Sequence, residues 1–264
     1  PRDQAFAFID ASRGRVLGDG NADGVAMSSS AVTVGRQIQR GAWDLGAAVG
    51  TLTLGATRNG IGDGMTSSLY RIGVFAARPV GVFRLGGLLG YTGGQVGYGL
   101  AQRDAGVWSL QTRVARDFQV SPANVLTPLL SLDMQRLRLG GATESDPVLG
   151  LQVGAQGLTE SSSLGALRGV HAWNWNGLSG DLSASFGVRH WWKRPPAVTN
   201  LSFTGIPGLS FTTWGVAAPR NMLEATVGMH AALRQNLSAE VSLQGDYGRG
   251  VRAGRIDAHL VWGF

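Results

Sequence analysis

The feature that most constrains this chain is a sustained two-residue alternation of apolar and polar side chains. In Leu223–Arg234, the apolar residues Leu223, Ala225, Val227, Met229, Ala231 and Leu233 alternate with Glu224, Thr226, Gly228, His230, Ala232 and Arg234. The next segment repeats the pattern, with Leu237, Ala239, Val241, Leu243 and Tyr247 set against Ser238, Glu240, Ser242, Gln244 and Asp246. The last segment does so again, with Ile256, Ala258, Leu260, Trp262 and Phe264 against Arg255, Asp257, His259, Val261 and Gly263. A period of two places one face of a strand in an apolar medium and the other in a polar one.

Six earlier segments carry the same signature. Their apolar faces begin at Trp43, Tyr70, Phe83, Trp108, Leu130 and Leu182; the opposing faces include Asp44, Arg71, Arg84, Arg113, Asp133 and Arg189. Weaker alternation around Gln4–Val16, Ala31–Arg40 and Leu164–Trp173 brings the count to twelve strand candidates. Short connectors are expected at Arg40–Ala42, Arg78–Gly81, Ser121–Asn124, Asn174–Ser179 and Gln235–Asn236. Longer ones are expected at Gly18–Ser30, Asn59–Ser67, Gly93–Gly106, Gly140–Leu158, Lys193–Arg220 and Gly248–Arg252. Short and long links alternating over an even strand number describe an all-β, antiparallel transmembrane barrel of about twelve strands. A soluble β-sandwich or propeller would use strands of about 5–6 residues, whereas these run to about 10–13, the length of a tilted membrane strand.

Composition narrows the alternatives. The 264 residues contain 41 Gly, many of them on the polar face, where a small barrel needs room for an occasional large polar side chain. The absence of Cys removes disulfide scaffolds and thiolate metal sites. The formal charge of +6 raises the question of nucleic acid. The basic residues are scattered along the whole chain with no run of five or six, which gives no basic arm, and nucleic acid is not an expected partner. No stretch is long and apolar enough for a membrane helix: Leu85–Gln102 is broken by glycines, and Pro195–Pro219 is rich in Pro, Thr, Ser and Gly. Trp43, Trp108, Trp173, Trp175, Trp262 and Phe264 fall near expected rims, as interfacial girdles require, while Trp191 and Trp192 fit either placement.

The chain ends RIDAHLVWGF, with Ile256, Ala258, Leu260, Trp262 and Phe264 on one face. This resembles the C-terminal assembly signal of outer-membrane barrels, and an alternating edge strand suits recognition by strand addition. The second half of the chain, through Leu126–Gly141, Ser185–Trp192, Leu201–Leu233 and Gln235–Gly248, resembles the autotransporter β-domain, the translocator of type V secretion. The resemblance covers roughly the last 140 residues directly and the first half through strand count and spacing. It implies a Gram-negative outer-membrane pore with both termini on the periplasmic side. It also implies export of an N-terminal passenger to the cell surface, and a helix crossing the lumen just before the first strand. Only Pro1–Ala5 precede Phe6, so a single translocator domain over residues 1–264, with helix and passenger absent, is the expectation. Expected partners are the passenger, outer-membrane lipid and the barrel-assembly machinery, with the barrel acting as a monomer without a cofactor. A porin-like passive channel and an outer-membrane barrel enzyme are the alternatives.

The polar face supplies the candidate site. Arg71, Arg84, Arg113, Arg189, Glu224, His230, Glu240, Asp257 and His259 are expected to line a hydrated pore, with opposite charges bracing its wall. His230 and His259 near acidic residues raise the possibility of a Ser–His–acid site, but no nucleophile motif accompanies them. Gly spacings within Gly86–Gly99 lack the following helix that a dinucleotide site needs. No HxxxH pair or calcium-type carboxylate loop is present. No catalytic, cofactor or metal-binding residue is therefore expected.

Overall fold

The computed structural model describes residues 3–18, 23–58, 64–98, 101–144, 146, 150–175, 177–196, 198–205, 209–216 and 218–264. The strands are β1 (Gln4–Val16), β2 (Val25–Arg40), β3 (Trp43–Arg58), β4 (Gly64–Val80), β5 (Phe83–Tyr98), β6 (Ala101–Ala115), β7 (Phe118–Ser121), β8 (Asn124–Leu139) and β9 (Ala142–Thr143). They continue with β10 (Leu151–Val153), β11 (Gln156–Trp175), β12 (Leu178–Lys193), β13 (Val198–Phe203), β14 (Ser210–Trp214), β15 (Asn221–Arg234), β16 (Leu237–Gly248) and β17 (Val251–Gly263). No helix is present among the described residues.

Twelve of the strands close into one antiparallel barrel, in the order β1-β2-β3-β4-β5-β6-β8-β11-β12-β15-β16-β17 and back to β1. The closing seam runs from Gln4 opposite Gly263 to Val16 opposite Val251. Closure gives every strand two partners, which is what a sheet needs where no water can satisfy an open edge. The first and last described residues lie at the rim that carries the tight turns, where the Phe264 amide donates to the Asp3 carbonyl at 3.0 Å. Two of those turns place Gly41 and Gly81 first, at φ of 60° and 58°, which matches the hairpin turn whose twist follows the strands.

Exposure runs opposite to that of a soluble domain. Val49, Ile72, Leu132 and Val227, pointing outward, are 53%, 53%, 54% and 55% exposed, while Asp10, Thr127 and Ser131, pointing inward, are 6%, 4% and 4% exposed. No large side chain among the described residues is wholly buried. The apolar outer surface therefore needs lipid as its covering medium. Aromatic rings mark its two borders. Trp43, beneath the Arg78 guanidinium at 4.9 Å, joins Phe83, Phe118, Trp175 and the stacked Trp262–Phe264 pair near the tight turns. Tyr70, Tyr91 and Trp108 form the other group, with Tyr91 and Trp108 at 4.9 Å.

Several expectations are corrected. Trp108 keeps its expected place in a border group, but it stands well inside β6 and not at the strand's end, because that strand begins at Ala101. Trp191 points inward under Arg189 and Arg194, whereas Trp192 points outward and donates to the Ser163 hydroxyl at 3.1 Å. The links expected to be long at Gly93–Gly106 and Gly248–Arg252 are two-residue connections, since β5 reaches Tyr98 and β17 starts at Val251. Short–long alternation thus fails at two of the outer links: the Gly-rich stretch continues the strand, and Gly250 turns the chain at φ 72°. The links at Gly18–Ser30 and Asn59–Ser67 fall partly outside the described residues; their flanking strands β2 and β4 start earlier, at Val25 and Gly64. The expected Leu164–Trp173 strand is the middle of the longer β11.

The two long links are structured. β9 and β10 from one pair with β13 and β14 from the other, in the order β14-β13-β10-β9, and form a four-stranded sheet beyond the barrel wall. Gly154 N to Asn200 O at 3.0 Å and Thr204 N to Gly150 O at 2.9 Å stitch the loops together.

Candidate functional site: the barrel lumen

Side chains from strands that are not neighbours meet on the concave side of a closed sheet. Arg71 on β4 reaches over β3 and β2 to Asp10 on β1 at 2.9 Å, and its Nε donates to the Thr33 hydroxyl at 2.5 Å. Arg189 on β12 reaches over β11 to Asp133 on β8 at 2.7 Å. It also pairs with Glu224 on β15, through Nε to Oε1 and through Nη2 to Oε2 at 3.3 Å, and donates to the Ser162 hydroxyl at 3.0 Å. Asp133 accepts further hydrogen bonds from Gln111 at 2.6 Å and Ser131 at 3.1 Å. The guanidinium therefore sits between two carboxylates, forked on Glu224 and bonded to an Asp133 that two further donors also engage, an arrangement that favours a desolvated ion pair.

The other expected residues take several environments. Asp257 is held by Arg255 at 2.6 Å and Ser242 at 3.3 Å. His230 Nδ1 lies 3.1 Å from Asp181, and no serine hydroxyl bonds to that ring among the described residues. Glu240 stands opposite His259 in the β16–β17 register. Arg113 and Arg168 face a cavity of about 390 Å³ that Arg189, Glu224, Glu240 and Arg255 also line. Arg84 is apart from this group, mostly exposed near the tight turns, and pairs with Asp117 at 2.8 Å. Beyond the end of β12, Arg194 lies over Trp191 at 4.2 Å; burial lowers its pKa from the usual guanidinium value, against an opposing pull from Glu160.

An inward aromatic cluster was not singled out by the sequence pattern. Phe6, Phe8, Phe75 and His259 share a second cavity of about 510 Å³, with Phe6 and Phe75 at 6.1 Å and His259 at 5.6 and 5.9 Å from Phe6 and Phe8. Two rings lie flat on neighbouring strands because glycine leaves the space: a Cβ on Gly46 would stand 2.1 Å from the Phe75 ring, and one on Gly35 would stand 2.2 Å from Phe6. Arg71 and Arg255 flank Phe8 at 5.9 and 5.8 Å. Asp10 was also missed. It is the acidic residue between Ile9 and Ala11 in a weak strand, and that alternation alone turns it inward.

A polar, charge-braced lumen inside an apolar cylinder is the geometry of a hydrated conduit through a membrane. The profile of the autotransporter beta-domain matches residues 5–244. No curated protein sequence matches the chain. Among solved structures, the translocator domain of the autotransporter NalP from Neisseria meningitidis is similar with a TM-score of 0.79 at 13% identity, covering 100% of this chain and 89% of that one. The β-domain of the Bordetella autotransporter BrkA gives 0.68 at 15% identity, covering 100% of both chains. The transport unit of AIDA-I from Escherichia coli gives 0.61 at 15% identity, over 98% of this chain and 90% of that one. The structural likenesses establish the shared barrel, and the profile establishes the family: the chain belongs to the autotransporter β-domain family and is a translocator barrel of the bacterial outer membrane.

Proposed function

We propose that residues 1–264 act as one translocator domain, a monomer that conducts a covalently linked N-terminal passenger through its lumen to the cell surface. The observation that carries this reading is the closed barrel whose first strand begins and last strand ends at the tight-turn rim, within a family whose members export passengers. A chain entering ahead of Gln4 on the periplasmic side has the lumen as its route outward. Arg71, Arg84, Arg113, Arg189, Glu224, His230, Glu240, Asp257 and His259 line and stiffen that route, with no catalytic role. Closure of β1 on β17 supports the monomer, since no barrel edge is left for a second copy. A reporter segment fused ahead of Pro1 is expected at the surface of intact cells, cleavable by added protease. An assembled barrel with the reporter retained in the periplasm would favour a passive channel.

We infer also that Ile256, Ala258, Leu260, Trp262 and Phe264 form the outward row read by the barrel-assembly machinery. The row is continuous on β17 and ends in the stacked Trp262–Phe264 pair. Deleting Phe264 is expected to reduce the heat-modifiable folded form in outer-membrane fractions, while His259→Arg, on the opposite face, leaves it near the parental level. Unchanged assembly without Phe264 would remove the row's recognition role.

A further inference from the structure

Several arginines point outward from the barrel wall, Arg36 on β2 and Arg136 and Arg138 on β8 among them, and three gather across its closing seam. Arg15 on β1 stands directly opposite Arg252 on β17, and Arg13 shares their face two residues along β1. All three are exposed, and none has a hydrogen bond or ion pair to an acid among the described residues. Like charges placed directly opposite each other on one face of a sheet repel, so the pair needs an anion from outside the protein. Tyr247 on β16 stands beside Arg252, and Ser28 on β2 beside Arg13.

Their height is informative. Below Arg13 the outward residues of β1 are Ala11, Ile9, Ala7 and Ala5; below Arg252 those of β17 are Gly254, Ile256, Ala258, Leu260 and Trp262. Arg15 is ten residues above Ala5, about 25 Å of height in a strand tilted about 40°. The arginines thus stand where the apolar band ends on the long-loop side. A groove of about 750 Å³ runs just beneath and across the seam, with Ala11, Ser28, Gly55 and Gly254 as small floor residues, Ile256 as apolar wall and Arg13 at its edge.

We propose that this seam is a binding site for one phosphorylated, multiply acylated glycolipid of the outer leaflet. Its phosphate is held by Arg13, Arg15 and Arg252 and an acyl chain lies in the groove. Guanidinium forks match phosphate oxygens in pairs, and the anion relieves the Arg15–Arg252 repulsion. The site rests on the orientation given above, which the surface reporter tests separately.

The test titrates the refolded 264-residue chain in detergent with bisphosphorylated lipid A, its dephosphorylated form, and phosphatidylglycerol. Binding of the bisphosphorylated lipid is expected to be about tenfold or more tighter than that of either competitor, the scale of one charged hydrogen bond. Arg15→Gln with Arg252→Gln should lose about that factor, and Gly254→Leu, whose Cβ meets only the Gln244 carbonyl at 3.9 Å, should weaken binding by filling the groove. Arg136→Gln with Arg138→Gln, outward on β8 away from the seam, serves as the control and should stay within about twofold. Heat-modifiable migration verifies that each variant is folded. Equal losses in the seam and control variants would overturn the site; equal affinity for dephosphorylated lipid would overturn the phosphate contact; equal affinity for phosphatidylglycerol would overturn the choice of glycolipid.

Discussion

Arg189→Ala is expected to lower the unfolding free energy of the barrel by about 3 kcal/mol, the scale for removing one partner from a buried ion pair. The loss exceeds one ion pair in kind, because Arg189 separates Asp133 from Glu224, and its removal leaves two largely buried carboxylates facing each other. Side-chain exposures of 17% for Arg189 and 14% for each acid leave little water to absorb that charge. Equilibrium urea unfolding of the chain in phospholipid vesicles, followed by tryptophan fluorescence, measures the change. Adding Asp133→Asn and Glu224→Gln to Arg189→Met should recover much of the stability by removing the repulsion. A triple variant no more stable than Arg189→Ala would show that the guanidinium contributes through packing against Trp191 rather than through charge.

Val227→Arg is expected to be costly for a different reason. Val227 is outward near the middle of β15, and a lipid-facing Arg at mid-bilayer costs about 2–4 kcal/mol. Thr226→Arg, one residue away, enters the lumen cavity that Glu224 and Glu240 line, and should be tolerated. The same unfolding assay separates the two. Equal costs would contradict the facing of β15, since a one-residue slip exchanges every inward and outward position in a strand.

How much of this was legible in the sequence depends on where a strand meets two different media. β15, β16 and β17 alternate cleanly because lipid covers one face and the hydrated lumen the other, and their facing could be read residue by residue. The signal fails where a strand leaves the lipid. On β1, Arg13 and Arg15 are outward yet polar, so alternation dissolves and the strand reads as weak. Above the membrane, β5 and β6 continue to Tyr98 and from Ala101 through glycines that look like a loop. Phe75 and Leu88 add noise of another sort, as apolar residues that point inward. β9, β10, β13 and β14 were invisible because each is short and their pairing joins links about fifty residues apart. In the lumen, Arg189 and Glu224 could be placed inward from period two alone. Asp133 as the partner of Arg189, and Asp10 as that of Arg71, follow from curvature and closure, which no local spacing encodes.

The seam between β1 and β17 has a consequence for synthesis. Its two strands are the first and the last of the barrel to be synthesised, so a sheet assembled only from β1 to β16 has two bare borders. Only the final thirteen residues of β17 cover both, pairing with β16 on one side and β1 on the other. A ribosome that stops short of Val251 leaves a polypeptide without the strand that joins β16 to β1, and so without this means of becoming a ring. Such a product has two long templates for unwanted strand addition. Completeness of translation is thereby written into the topology itself.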